Sequence, residues 1–171
     1  MKHHIIFNAS AITGLALMLA PVAGLAQEKT LKEQIVGTWS NVAWVHTYPD
    51  GRKEEQFGAK PKGVSTFDSN GRFVVIMLHP DLPKLASSDR WKPTPEEAMT
   101  IAKGSLAYYG TYTVNEADKS VQLDVEGTSY ANQVGAPQKR IVTGITSDEL
   151  RYRNLGSTSG GVIEFVSKRL K

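Results

Sequence analysis

The stretch IVGTW at residues 35–39, followed by the strand-like run of residues 40–48, decides the fold. Gly37 has no side chain, so the backbone can bend there as it enters the first predicted strand. The bend leaves room for the indole of Trp39 to turn inward. Because a ring of that size needs neighbours on every side to be shielded from water, the stretch predicts a closed β structure around Trp39.

The rest of the chain contains seven more strand-like segments, most of them separated by short turns. Asn70-Gly71 is a strong hairpin signal, since both residues tolerate the positive φ of a tight turn. Residues 121–126 alternate strictly between apolar and polar types, which is typical of a strand with one buried face. The other predicted strands are residues 63–67, 72–79, 107–114, 140–146, 150–155 and 162–170. The predicted class is all-β, an eight-stranded antiparallel up-and-down barrel that side chains can fill or that can hold one small ligand.

One short helical insertion interrupts the strands. Thr94 is the predicted N-cap, Pro95 the first helical residue, and Glu97 completes a capping box. Gly104 ends the helix, and residues 98–102 carry a short apolar stripe. Because strands and helices do not alternate regularly, we expect the helix to cover one end of the barrel rather than to connect parallel strands.

Residues 1–26 have the features of a secretory signal peptide. A basic start at Lys2 precedes a mostly apolar stretch over residues 5–19, and small residues at 24 and 26 mark a cleavage site before Gln27. A retained membrane anchor is the alternative, although the apolar stretch is short for a membrane span. We predict a signal peptide over residues 1–26, one barrel domain over residues 27–171, and a periplasmic or secreted location.

The composition argues against several kinds of partner. The chain has no cysteine, and therefore neither a disulfide nor a lipid-attachment cysteine. Its 20 basic and 17 acidic residues give a net charge of +3 at pH 7. The densest basic spots, residues 60–62 and 168–171, are too short to follow a phosphate backbone. We expect no nucleic-acid partner and no membrane association after signal cleavage, while the oligomeric state stays open.

The chain lacks the usual motifs of catalysis and cofactor binding. Beyond the signal segment it has two histidines, His46 and His79, without metal-ligand spacing around them. A Gly-x-Ser-x-Gly motif is absent. The glycine-rich segment 156–161 lies between strands and is interpreted as a hairpin turn rather than a phosphate-binding loop. The sequence therefore predicts no metal site, no cofactor and no catalytic residue.

Aromatic residues on predicted inward faces suggest a binding site inside the barrel. Tyr108 and Tyr112 share one face of their strand, and Gly110 between them predicts a gap in the wall. Tyr152 shares a face with Leu150 on a later strand. Ordinary core packing is the alternative for each tyrosine. We predict Tyr108, Tyr112 and Tyr152 as ligand-binding residues.

Arg140 and Trp91 complete the predicted binding site. An inward-facing arginine needs an anion, which is either a ligand or a carboxylate such as Asp124 or Glu164. Trp91 lies near the helical insertion, where it either closes the open end over a ligand or anchors the loop to the barrel. An apolar interior with a few hydroxyls and one guanidinium favours a small lipophilic molecule with one acidic or carbonyl end.

The order of these motifs resembles the lipocalin-like domains of bacterial and fungal proteins, which are relatives of the lipocalins in the calycin group. The resemblance depends on VGTW at residues 36–39, AYYGTYTV at 107–114 and VSKR at 166–169, and it extends over about residues 35–169. It implies a ligand-binding barrel of the calycin type. It also implies that the guanidinium of Arg169 packs over Trp39 as a cation–π lid on the closed end, so that Gly37, Trp39 and Arg169 have structural roles.

Three functional hypotheses follow from the sequence. The preferred one is an exported lipocalin-like protein that binds a small hydrophobic or amphipathic ligand inside the barrel. The alternative is a small barrel enzyme of the isomerase or cyclase type, acting on an enclosed lipid or polyketide-like substrate, with Tyr112 and Arg140 polarising a carbonyl. The third is a structural or partner-binding module with a filled barrel and an apolar patch on its outer surface.

Overall fold

The computed structural model describes residues 28–136, 138–157 and 159–171, so the predicted signal peptide lies outside the described residues. Within them the chain forms two α-helices, one 3₁₀-helix and nine strands. In chain order these are α1 Leu31–Ile35, β1 Gly37–Thr47, β2 Lys53–Glu54, β3 Lys62–Phe67, β4 Arg72–Leu78, α2 Pro95–Gly104, β5 Ser105–Asn115, β6 Ser120–Thr128, the 3₁₀-helix Ala131–Gln133, β7 Gln138–Ile145, β8 Glu149–Asn154 and β9 Val162–Arg169.

Eight of these strands close into a barrel. Each pairs antiparallel with the next in the order β1-β3-β4-β5-β6-β7-β8-β9, and β9 pairs back onto β1. The two-residue strand β2 pairs with the end of β1 and stays outside the ring. Neighbours in the ring are also neighbours in sequence, apart from the short detour through β2. The predicted eight-stranded antiparallel up-and-down barrel is therefore confirmed.

The helical insertion α2 begins and ends at the predicted residues. Thr94 and Glu97 form the expected capping box through their side chains and backbone N–H groups. The helix joins β4 to its antiparallel neighbour β5, so it is not a crossover. Only Gly104 of α2 is buried, and Ala98 and Ala102 of the predicted stripe are exposed. Ile101, the third residue of the stripe, is half-buried. The expectation that α2 covers one end of the barrel stays a prediction.

The closed end of the barrel, where β1 begins, is built around Trp39. The indole is fully buried, and its Nε1–H donates a hydrogen bond to the carbonyl of Ile35 at 2.8 Å. The guanidinium carbon of Arg169 lies 3.9 Å from the centroid of the Trp39 ring, in the arrangement that the resemblance implies. The short helix α1 places Leu31 and Ile35 against this end, and both are buried.

Arg169 ties three segments of the closed end together. Its guanidinium donates to the backbone carbonyls of Gln34, Val36 and Ser147 at 2.6, 2.8 and 2.6 Å. Gly37 has a φ of +135°, and a Cβ at this position would collide with Nη1 of Arg169. Glycine is thus required at residue 37 to make room for the arginine as well as to bend the chain.

Gly110 leaves no gap in the barrel wall. The register between β5 and β6 shifts at Tyr109 and Gly110, which is a β-bulge. A Cβ at Gly110 would collide with the backbone carbonyl of Asp124. The prediction of a gap is wrong because the backbone of β6 occupies the space that the missing side chain leaves.

Candidate ligand-binding cavity

A cavity of about 180 Å³ lies at the open end of the barrel, opposite Trp39. Strand residues form its walls, and residues 56–57, 130, 133, 156–157 and 159 form its rim. The described lining residues are Trp44, Gln56, Phe57, Leu106, Tyr130, Gln133, Gln138, Arg140, Asn154, Gly156, Ser157, Ser159, Ile163 and Phe165. The lining combines aromatic and aliphatic side chains with polar ones on both the strands and the loops, and polar groups in an otherwise apolar pocket fix the orientation of a small ligand.

The interior below this cavity is packed. A void of about 10 Å³ remains there, which is roughly the space of one water molecule. Its lining residues are Ile35, Phe67, Val121, Leu123, Arg140, Val142 and Tyr152. Because Arg140 lines both spaces, its side chain forms the floor of the open-end cavity.

Arg140 is buried without a full set of hydrogen-bond acceptors. Its side chain is 4% exposed, and Nη2 donates to Oε1 of Gln138 at 3.0 Å. Nε and Nη1 contact no acceptor among the described residues. Asp124 and Glu164 are both exposed, so of the two alternatives for the anion of Arg140 the carboxylate of either residue is ruled out. Their positions alternate with the inward-facing ones along β6 and β9, which turns both carboxylates outward.

Aromatic rings form one wall of the cavity. Trp44 packs edge-to-face on Phe57 and on Phe165, with ring centroids 5.0 and 4.4 Å apart. Phe165 stacks on Tyr152 from the other side at 4.6 Å, and the guanidinium carbon of Arg140 lies 5.4 Å from the Phe165 centroid. These contacts fix the wall before any ligand binds and present ring faces and edges to the cavity.

A chain of hydrogen bonds connects this wall to the rim. Nε1–H of Trp44 donates to Oε1 of Gln56 at 3.0 Å, and the amide of Gln56 donates to Nδ1 of His46 at 3.3 Å. Nε2 of His46 lies 2.7 Å from the carbonyl oxygen of Gly160. Since a carbonyl only accepts, His46 carries its proton on Nε2 and leaves Nδ1 to accept from Gln56. The chain joins β1 to both neighbouring rim loops and fixes the orientation of the Trp44 ring.

The three predicted tyrosines lie in the barrel interior but do not line the cavity. Tyr108, Tyr112 and Tyr152 are all buried. The hydroxyl of Tyr112 donates to the backbone carbonyl of Asp68 at 2.6 Å, in the turn at the closed end. Burial raises the pKa of Tyr112 and, more strongly, that of Tyr152, so both phenols stay protonated. The structure thus brings only Arg140 of the predicted set to the cavity, and the binding roles of the tyrosines stay predictions.

Trp91 lies on the outer surface. Its ring is 80% exposed and packs against the guanidinium of Arg90 at 4.9 Å. It is not among the residues that line the cavity. The enzymatic alternative requires Tyr112 and Arg140 to polarise the same carbonyl. The structure keeps them apart, because the hydroxyl of Tyr112 donates to a carbonyl at the closed end and Arg140 lines the cavity at the open end.

Sequence reasoning missed the aromatic wall for an identifiable reason. Strict alternation from Trp39 places residues 41, 43 and 45 on the inward face and turns Trp44 outward. The register of β1 against β9 shifts between Asn41 and Ala43, and this bulge brings Trp44 and His46 inward. Phe165 had a usable signal, since it alternates with Ile163 on the last strand. The loop residues Gln56 and Phe57 had none.

A larger surface depression, of about 630 Å³, lies outside the barrel at its closed end, next to α1 and the turn at residues 146–147. Arg169 contributes to its lining, but all three guanidinium nitrogens already donate to backbone carbonyls. The depression therefore lacks the unpaired buried donor that distinguishes the open-end cavity.

The described part of the chain offers neither a metal site nor a membrane-spanning helix. No group of three or more His, Cys, Asp or Glu side chains there is arranged to hold a metal ion. Over the same residues, no helix has the length and apolar character to cross a membrane.

The family comparison agrees with the architecture. Residues 36–164 match the model of a family described as Lipocalin-like domain. A redesigned β-barrel is similar with a TM-score of 0.44 and 14% identity, over 83% of this chain and 96% of that one. A de novo designed fluorescence-activating β-barrel is similar with a TM-score of 0.42 and 12% identity, over 84% of this chain and 100% of that one. No curated protein matches the chain.

Proposed function

The chain belongs to the lipocalin-like domain family, and we propose that it binds one small hydrophobic or amphipathic molecule in the open-end cavity. The observation that carries this proposal is the contrast within one barrel, which is packed to about 10 Å³ of free space below Arg140 but holds about 180 Å³ above it. Aromatic walls supply apolar contact, and the amides of Gln56, Gln138 and Asn154 supply hydrogen bonds that fix a ligand's orientation.

Displacement of an environment-sensitive dye by fatty acids, quinones and aromatic acids tests the proposal. The fluorescence of Trp44 gives a second signal, best read in a Trp91→Phe background that removes the exposed indole. We expect at least one class of probe to displace the dye and to change the Trp44 emission, because that ring lies in the cavity wall.

A cavity-filling variant locates the site. Leu106 lines the cavity, so Leu106→Trp is expected to abolish displacement by occupying the space. Val74 is 45% exposed on the outer surface, and Val74→Trp is the matched control that should leave binding intact. If no probe binds the wild-type protein, the proposal fails, and the exposed outer residues Val74, Ile76 and Tyr109 become the place to look for a partner protein.

Export is part of the same proposal, and it rests on the signal-like sequence of residues 1–26. Fractionation of cells that express the full chain, with mass spectrometry of the N-terminus, tests it. We expect the exported protein to begin at Gln27. Recovery of the chain in the cytoplasm with residues 1–26 intact would contradict export without affecting the binding proposal.

A further inference from the structure

We propose that the ligand is a small organic acid with a single negative charge, whose carboxylate binds the guanidinium of Arg140 on the floor of the cavity. This inference rests on the proposed binding function and names the class of ligand. The body of the acid is a single ring or a short apolar group that packs against Trp44 and Phe165.

The first step concerns the charge and the hydrogen bonds of Arg140. An arginine cannot lose its charge in a protein, so its guanidinium must find acceptors or an anion when it is removed from water. Nη2 has the neutral oxygen of Gln138, while Nε and Nη1 have no acceptor in the described part of the chain. The guanidinium is therefore a buried cation on the floor of the cavity, and two of its nitrogens have no acceptor from the described part of the chain.

The second step is the number of charges. Arg140 is the only charged side chain among the described lining residues, and the others are apolar or neutral polar groups. A carboxylate balances one guanidinium charge and accepts its N–H groups in a favourable geometry. A neutral carbonyl would accept a hydrogen bond but leave the buried positive charge unbalanced. A phosphate dianion would bring a second negative charge for which this lining has no cation.

The third step is size. Drug-sized ligands occupy pockets of roughly 300–1,000 Å³, and this cavity measures about 180 Å³ above a packed floor. A long acyl chain has no space to extend below Arg140, because residues such as Phe67 and Leu123 fill the barrel there. A ring-sized acid fits, and its face or edge meets the rings of Trp44 and Phe165.

Calorimetric titration of the exported protein with three probes tests the inference. The probes are trans-cinnamate, its neutral amide cinnamamide, and palmitate. We expect cinnamate to bind at least about tenfold more tightly than cinnamamide, since the two differ mainly in the charge that Arg140 meets. We expect palmitate to bind more weakly than cinnamate, because its chain exceeds the cavity.

Two variants assign the effect to one residue. Arg140→Met keeps an unbranched side chain but removes the charge, and it should weaken cinnamate binding at least about 30-fold while changing cinnamamide binding less than about threefold. Arg153→Met is the matched control, because Arg153 is exposed on the neighbouring strand. It should change neither affinity.

The outcomes separate the two proposals. Equal affinities for cinnamate and cinnamamide in the wild-type protein would overturn the acid inference while leaving the binding function in place, and this comparison needs no variant to fold. Palmitate binding more tightly than cinnamate would overturn it as well. Binding of none of the three probes, together with the absence of dye displacement by any class of ligand, would overturn the binding function itself.

Discussion

The two ends of the barrel each use a buried or half-buried arginine beside an aromatic ring, but they use it differently. At the closed end, Arg169 lies 3.9 Å from the centroid of Trp39 and donates to three backbone carbonyls. At the open end, Arg140 lies 5.4 Å from the centroid of Phe165 and has one acceptor, on Gln138. The arginine at the closed end has an acceptor for each of its three nitrogens, whereas the arginine at the open end has an acceptor for one of them.

The difference shows how this fold separates stability from binding. The closed end satisfies its donors with carbonyls that the chain supplies itself, so nothing there depends on a ligand. The open end leaves a charged donor group buried, which costs folding free energy unless something binds it. Substitutions of Trp39 or Arg169 should therefore change stability, whereas substitution of Arg140 should change affinity without a loss of stability.

The largest effect on stability is expected from Trp39→Ala. Removing a fully buried indole leaves a cavity at the closed end, and we expect the free energy of unfolding to fall by about 3–5 kcal/mol. Trp91→Ala is the control, because an exposed ring in the same protein should cost less than about 0.5 kcal/mol. Urea unfolding followed by circular dichroism measures both.

Trp39→Ala should leave the affinity of the folded fraction for a probe acid unchanged, because the indole lies below the packed floor. A similar loss of stability in both tryptophan variants would contradict the assignment of Trp39 as the centre of the closed end.

The next largest difference in the free energy of unfolding is expected between Arg169→Met and Arg140→Met. Arg169→Met loses three hydrogen bonds from a charged group and the contact with Trp39, so we expect a loss of about 2–3 kcal/mol in the free energy of unfolding. Arg140→Met removes a buried charge without a counter-ion, and we expect no loss and a gain of up to about 2 kcal/mol. Urea unfolding without ligand measures the pair, and equal losses in both variants would contradict the assignment of Arg140 to a ligand.

The architecture could be predicted from the sequence because local signals and the global fold agree. Asn70-Gly71 forms the turn between β3 and β4, and the capping box at Thr94 and Glu97 begins α2. The contact between Trp39 and Arg169 was implied by a family resemblance. Each of these signals is local or specific to the family, and the tertiary contacts of the barrel favour the same structure at each of them.

The cavity wall could not be predicted because a bulge in β1 changes which of its residues face inward. Alternation along β1 turns Trp44 outward, and only the register shift at Asn41 and Ala43 reverses this. The bulge at Gly110 likewise replaces an expected gap with backbone. Bulges depend on pairing with a partner strand, so one strand's sequence does not reveal them. Arg140 was found because β6 and β7 pair without a register shift around it, so alternation along β7 places it on the inward face.

An intermediate effect is expected from Gln56→Met at the open end. The variant leaves Nε1–H of Trp44 and Nδ1 of His46 without their partner, and we expect the free energy of unfolding to fall by about 1–2 kcal/mol. Probe affinity should fall severalfold, since the Trp44 ring loses its fixed orientation. Gln122→Met is the control, because that amide bonds only its neighbour's carbonyl, at 3.3 Å. Unchanged Trp44 emission and affinity in Gln56→Met would show that the hydrogen-bond chain does not organise the wall.

The smallest effect is expected from Glu116→Gln at the closed end. The carboxylate of Glu116 accepts hydrogen bonds from the backbone N–H groups of Leu31 and Lys32 at 2.9 and 3.0 Å, which caps α1 from a neighbouring turn. An amide cannot accept both as well, because its NH₂ group faces one of the donors. We expect a loss of about 0.5–1 kcal/mol in the free energy of unfolding, small because Glu116 is exposed to solvent.

The pH dependence of this loss identifies its cause. The hydrogen bonds from Lys32 and Leu31 lower the pKa of Glu116 in the folded protein. A carboxylate with a lowered folded pKa contributes stability above its unfolded pKa of about 4.3 and loses that contribution as the pH falls through the folded value. The difference between wild type and Glu116→Gln should therefore be constant near neutral pH and shrink in acid, whereas Glu55→Gln, at an exposed loop position, should show little difference at either pH. A difference that persists unchanged into strong acid would mean that packing of the side chain, and not the charge on the carboxylate, holds α1 against the barrel.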